Sequence, residues 1–198
     1  MTTALAPKRS PAEPTPHRFT KEEYYRMGEA GLFRDRRVEL MGGEIIDTSP
    51  IGPMHSAVVT HVRRLLERLF PDYHVRNQQP FDASDDSEPE PDLALVPGSP
   101  GDYRLAHPSQ VALIVEVADS SLHYDRNRKA SRYAASGVAD YWVVNLFARR
   151  VEVYRSPEAD ESQPLGFGYA SREIVEIAGE LSPIVTPSVR IPVRDLLL

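Results

Sequence analysis

Two short apolar runs constrain this chain more than anything else in it: Leu93–Val96, within Pro-Glu-Pro-Asp-Leu-Ala-Leu-Val, and Val111–Val117, Val-Ala-Leu-Ile-Val-Glu-Val. Both are rich in Val, Leu and Ile and are bounded by Pro, Gly, Ser and Asp, which is how strands buried on both faces read. Each carries one carboxylate where an apolar side chain would pack better: Asp92 opens the first and Glu116 sits near the end of the second. Burying an unpaired carboxylate costs several kcal/mol, and two of them at about 4 Å repel by about 4 kcal/mol at an effective dielectric of about 20. A divalent cation reverses that sign, because oxygen ligands are what Mg²⁺ takes. The pair therefore asks for a metal, a base or a proton.

A third charged group follows 13 residues after Glu116. Good helix formers over Arg126–Ser136, with Asp125 as N-cap and Gly137 just past the end, predict a helix. On it Lys129, Ala130, Tyr133 and Ala134 share one face. The apolar members of that face must look inward, so Lys129 is expected to face the sheet. A cation aimed at two strand-borne carboxylates suits phosphoryl transfer: the acids hold a metal, and the amine steadies a nucleophile or the charge of the transition state.

Pro91-Asp92, then Glu116 in a buried strand, then a lysine on the following helix resembles the PD-(D/E)XK nuclease superfamily, with the lysine moved from strand to helix. More closely, the ordered set Val-Glu-Leu-Met-Gly-Gly-Glu-Ile (38–45), Ser-Pro with His55, Pro-Asp (91–92), Val-Glu-Val-Ala-Asp-Ser-Ser (115–121), Tyr-Asp-Arg-x-x-Lys (124–129) and Gly-Val-Ala-Asp-Tyr-Trp-Val-Val (137–144) is similar to the Uma2 endonuclease family. The likeness runs from about Arg18 to Tyr154. It implies an α/β fold with a restriction endonuclease-like core, a mixed β-sheet flanked by helices, preceded by an N-terminal helix and a β-hairpin. It also implies cleavage of nucleic-acid phosphodiester bonds, with DNA as the partner, and a homodimer. Mg²⁺ or Mn²⁺ would be held by Asp92, Glu116 and the Val117 carbonyl, Lys129 would act on the attacking water, and Glu39 would be a third acidic ligand or a metal-shell residue. One departure stands out. The superfamily places its lysine two residues after the second acid, and that position is Ala118 here. Asp119 is a rival ligand or a helix cap, and the cap is favoured.

A single nuclease-like domain over 18–198 is expected at this length, with residues 1–17, four of them proline, as a disordered tail. The hydrophobic share of 41% is enough for a core, and the absence of cysteine excludes disulfides and thiolate zinc. No hydrophobic signal region or apolar run of spanning length occurs, so a cytoplasmic protein with no membrane partner is expected. The net charge of −6 argues against simple polyanion binding. Much of that acid is concentrated in 82–90, read as a mobile loop, which leaves Arg34/36/37, Arg63/64/68 and Arg126/128/132 as candidate phosphate contacts or solvated faces. An acidic chain of this kind gathers a positive groove most easily by pairing with a second copy.

Thr20-Lys-Glu-Glu23 reads as a capping box opening a helix to about Glu29, and Gly42-Gly43 as a hairpin turn between Val38–Met41 and Glu44–Asp47. Apart from the resemblance, Glu39 is equally an outward-facing hairpin residue. Ser56–Phe70 carries an apolar helical stripe; His55, preceding it, either lines the site or makes a local hydrogen bond. Tyr73–Pro80, Tyr141–Asn145, Arg150–Tyr154 and Ile174–Ile177 read as strands, Trp142 as core or dimer packing, and Val189–Leu198 as a tail packed on the sheet edge or on a second subunit. No P-loop, GxGxxG or HExxH motif is present. Two other readings compete: a catalytically inactive nuclease fold that binds nucleic acid or oligomerises, and a structural Glu116–Lys129 ion pair with Asp92 capping a turn. A glycosidase leaves Lys129 without a role.

Overall fold

The computed structural model describes residues 14–48 and 50–198, so most of the expected tail 1–17 lies outside the described residues. Helix α1 (Lys21–Glu29) starts at the reciprocal Thr20–Glu23 capping box. It leads to the hairpin β1 (Val38–Met41) and β2 (Glu44–Asp47), a two-stranded sheet of its own. Gly42 and Gly43 close that hairpin with φ of 61° and 71°, the pair of left-handed conformations a two-residue turn of this hand requires.

The main sheet has six strands in the order β3 (Tyr73–Asn77), β4 (Leu93–Pro97), β5 (Leu113–Ala118), β6 (Asp140–Asn145), β7 (Arg150–Ala159) and β8 (Phe167–Glu176). Only β5 and β6 run parallel. The connection between them is a continuous helical segment, 122–135, made of α3 (Leu122–Tyr124), a π-helical turn (Asp125–Lys129) and α4 (Ala130–Ala135). Period-two alternation sorts the core. Leu93, Leu95, Leu113, Val115, Val117, Trp142, Val144, Val151 and Val153 face helix α2 (Pro53–Leu69) and the C-terminal segment. Ala94, Val96, Ile114, Ala118, Tyr141, Val143 and Tyr154 face the 122–135 segment. Glu116 falls between Ile114 and Ala118, so it belongs to the second face.

Several expectations are corrected. Helix α2 begins three residues early because Pro53 sits in its first turn, where a missing N–H costs nothing; His55 is therefore inside the helix. The helix predicted from Arg126 begins instead at Leu122, with Ser121 as N-cap, so neither Asp125 nor Asp119 caps it. The acidic stretch 82–90 is not a free loop: Glu88 N–H reaches Leu40 O at 2.8 Å, Gly43 N–H reaches Asp86 O at 2.7 Å, and Arg132 donates to Ser84, Ser87 and Asp86. Ile191, Val193, Leu196 and Leu197 are buried with α2 in this chain's own core, so the C-terminus is not held out for a second subunit. Trp142 is fully buried in the same cluster. Among the described residues no helix is long and apolar enough to cross a membrane.

Candidate functional site

The register Leu93↔Val115 between antiparallel β4 and β5, continued by one residue, sets Asp92 opposite Glu116. Asp92 N–H donates to Glu116 Oε2 at 3.2 Å, and Val117 N–H donates to Asp92 Oδ2 at 2.9 Å. A strand residue's N–H and C=O point to the same side, so the Val117 carbonyl also faces Asp92. Lys129 crosses from the helical segment and donates to Glu116 Oε1 at 2.8 Å, with Asp125 Oδ1 4.0 Å away. The π turn makes this reach possible. Ala130 N–H bonds Asp125 O, five residues back, and Tyr141 Oη on β6 donates to the same carbonyl at 3.0 Å. The widened turn is thus pinned to the sheet beneath it.

Hairpin strand β1 delivers Glu39, buried and inward-facing, which rules out the solvent-facing alternative. Its carboxylate accepts from Tyr124 Oη at 3.0 Å and Glu90 N–H at 3.1 Å. His55, from the first turn of α2, contacts Asp92 Oδ2 through Nε2 at 3.0 Å, while its buried Nδ1 has no partner among the described residues. Asp125 accepts from Ser121 Oγ at 2.6 Å. All of the predicted side chains (Asp92, Glu116, Lys129, Glu39, His55 and Asp125) line one cleft of about 450 Å³. Asp119 is exposed at its mouth.

Three members were not foreseen. Tyr133 Oη donates to Glu116 Oε1 at 2.7 Å, and Tyr124 holds Glu39. Gln78 donates to Asp92 Oδ1 at 3.2 Å from a left-handed backbone, φ 49°. A non-glycine residue in that region stores strain and persists only where its surroundings hold it. Tyr133 was legible as an inward-facing helix residue; nothing in the sequence marks Gln78. Of the candidate arginine clusters, Arg126, Arg128 and Arg132 are each paired with a carboxylate (Glu152, Glu44 and Asp86).

Four acids surround one amine, and their protonation follows. Burial works against a charged Lys129, but Glu116, Glu39, Asp125 and Asp92 outweigh it and hold its pKa well above the ordinary range. Burial pushes Glu116 well up, and the charges of Asp92 and Asp125 push further, against the opposing pull of Lys129. Burial likewise raises Asp125. Asp92 goes the other way: burial would raise it, but the His55 hydrogen bond, the Lys129 charge and the Val117 N–H bring it below the usual range. The Asp92 hydrogen bond raises His55. The surroundings thus favour the charged form of Lys129 and of Asp92 and disfavour it at Glu116.

Among the described residues no group of three or more His, Cys, Asp or Glu is disposed to hold a metal ion. The donor chemistry nevertheless fits a hard cation. Asp92 Oδ1 and Glu116 Oε2 each accept one neutral N–H at 3.2 Å and retain accepting capacity. Mg²⁺ is bound through one or two carboxylates and keeps several waters, which requires no protein cage.

The comparisons agree with this architecture. The model of the Uma2 family, described as "Putative restriction endonuclease", matches residues 21–185. The chain is similar to a crystal structure of a putative nuclease belonging to DUF820 from Anabaena variabilis ATCC 29413, with TM-score 0.68, 14% identity, and coverage of 90% of this chain and 97% of that one. At that identity the likeness speaks for the fold, a restriction endonuclease-like mixed sheet flanked by helices. No curated protein matches the sequence.

Proposed function

The chain belongs to the Uma2 family, and from that premise we propose that it is a metal-dependent endonuclease, a single nuclease-like domain over 18–198 that hydrolyses phosphodiester bonds of DNA in the cytoplasm. The observation that carries this reading is the Lys129 ammonium, 2.8 Å from Glu116 Oε1 on the strand that faces Asp92. Asp92, Glu116 and the Val117 carbonyl would hold Mg²⁺ or Mn²⁺, with Glu39 in the surrounding shell. The ion, when bound, polarises the scissile phosphate and lowers the pKa of an attacking water. Lys129 orients that water and offsets negative charge developing on the phosphoryl oxygens. His55 and Gln78 hold the Asp92 carboxylate in place from either oxygen, and Tyr133 fixes Glu116.

The test is nicking of supercoiled plasmid by purified protein with Mg²⁺ or Mn²⁺. Wild type should cleave; Asp92→Ala and Lys129→Ala should each lose at least about a hundredfold, the scale of removing one transition-state charge stabiliser. Equal residual cleavage by all three would identify the activity as contamination and end the proposal.

One observation favours a second reading, a nuclease fold that binds nucleic acid without cutting it: Glu116 already has both Lys129 and Tyr133 on one oxygen. Calorimetric titration with Mn²⁺ separates the two, since a protein taking no divalent ion through Asp92 is not the enzyme described. The homodimer belongs to this proposal on the resemblance and the acidic charge, since the apolar C-terminus packs into this chain's own core, and a monomer by light scattering at micromolar concentration would remove it.

A further inference from the structure

On the far side of the helical segment 122–135 lies a second cleft, of about 690 Å³, with an electrostatic character opposite to the first. Arg126, Tyr154 and Arg172 line it, and all three hydrogen-bond to Glu152 on β7, a carboxylate with no exposed surface. Burial would raise its pKa, but hydrogen bonds from Arg126, Tyr154 and Arg172 bring it down to about 2. Arg126 forks onto it through Nε, at 3.2 and 2.9 Å, and Nη2, while Arg172 reaches it through Nη2 alone at 2.9 Å. Two cations thus share one anion. Among the described residues Arg126 Nη1 and Arg172 Nε and Nη1 make no hydrogen bond, and the two side chains remain 30% and 44% exposed. Arg172 also lies over the Tyr154 ring, 5.7 Å from its centroid.

The placement relative to the acidic cleft is set by the sheet. Glu116 pairs with Val143, and Val143 pairs with Glu152, so the two buried glutamates sit in one row with a single strand between them. Two strand spacings put them roughly 9–10 Å apart, a span that one nucleic-acid strand crosses within a few nucleotides. Preorganised guanidiniums with outward N–H groups are the donors that recognise phosphate bidentately.

Resting on the nuclease reading, we propose that Arg126 and Arg172 bind a second backbone phosphate of the nucleic-acid substrate, close to the one beside Lys129, with Glu152 as the buried support that aims them. A polyanion meets a first cleft crowded with carboxylates, and this net-positive second cleft supplies the anchoring charge that the first lacks.

The experiment is fluorescence anisotropy of the full chain with a short labelled DNA duplex and the matching single strand, in EDTA across a salt series, so that no cleavage enters. Arg172→Gln should weaken binding about tenfold and lower the slope of log affinity against log salt by about one. Arg126→Lys, which keeps the charge but not the fork, should lose less affinity and leave the slope unchanged. Circular dichroism melts of both variants separate lost binding from lost folding. Arg172→Gln with wild-type affinity and slope, in a protein that still cleaves plasmid, overturns this inference and leaves the nuclease reading standing. A wild type that neither binds nor cleaves removes both.

Discussion

Glu116 and Glu152 occupy equivalent places and behave oppositely. Both are buried to 1% exposure or less, on the same face of the same sheet, in the same row of residues. Yet Glu116 is pushed well above the ordinary carboxylate range and Glu152 down to about 2. Burial alone raises both, so the difference lies in the company each keeps. Glu152 has two guanidiniums and a phenol hydrogen-bonded to it. Glu116 shares one amine with Glu39, Asp92 and Asp125. The Glu152 site has positive charge to spare; the Glu116 site is short of it, and that shortfall is what a divalent cation would meet.

The largest test of this contrast is to remove each acid in turn. Glu152→Ala leaves two arginines around an empty pocket and should destabilise by about 3–5 kcal/mol, the cost of breaking a buried ion pair. Glu116→Gln removes one partner of Lys129 but should cost less in urea unfolding, because Glu39, Asp125 and Asp92 remain around the amine and burial already disfavours the Glu116 charge. It should still abolish cleavage. Equal destabilisation by both would erase the distinction.

The pH dependence sharpens it. The folded pKa of Glu152 is depressed from 4.5 to about 2. Its stabilisation is therefore complete above about pH 5 and lost as pH falls through 2, about 2–3 kcal/mol after allowing for solvent on the outer faces of the arginines. Glu116 is raised, so without divalent ions its proton holds the fold best at low pH, and stability falls as pH rises above 4.5. Thermal melts of Glu152→Gln should lose the acid limb, and those of Glu116→Gln should lose the opposing one. A smaller effect is expected at Tyr133, whose hydroxyl is 2.7 Å from Glu116. Tyr133→Phe should cost about 1 kcal/mol, the net worth of one buried hydrogen bond, and should reduce kcat more than KM.

Much of this was legible in the chain. An acid flanked by apolar strand residues marked Glu116, and helical periodicity turned Lys129 inward. The same signal stands at Val151-Glu152-Val153, where the sequence reads only as a strand. Pattern alone exposes a buried acid but not its partners: Arg126 and Arg172 lie 26 and 20 residues away, on other elements. Strand β8 extends seven residues further back than the apolar run Ile174–Ile177 suggests, because its exposed residues pair along the whole of β7. The acidic stretch 82–90 looked loop-like because its order comes from backbone bonds to Leu40 and Gly43, which no local composition encodes. Gln78 was invisible, since its role depends on a backbone conformation that its side chain does not favour.

The widened turn over Asp125–Lys129 leaves this protein with a winding requirement that side-chain comparison would miss. An ordinary α-helix over the same residues would carry Lys129 roughly a quarter-turn beyond where the wider turn leaves it relative to Tyr124, taking the amine out of reach of the sheet while every charged group remained in the sequence. The site is therefore carried by the path of the backbone as much as by its acids and its lysine.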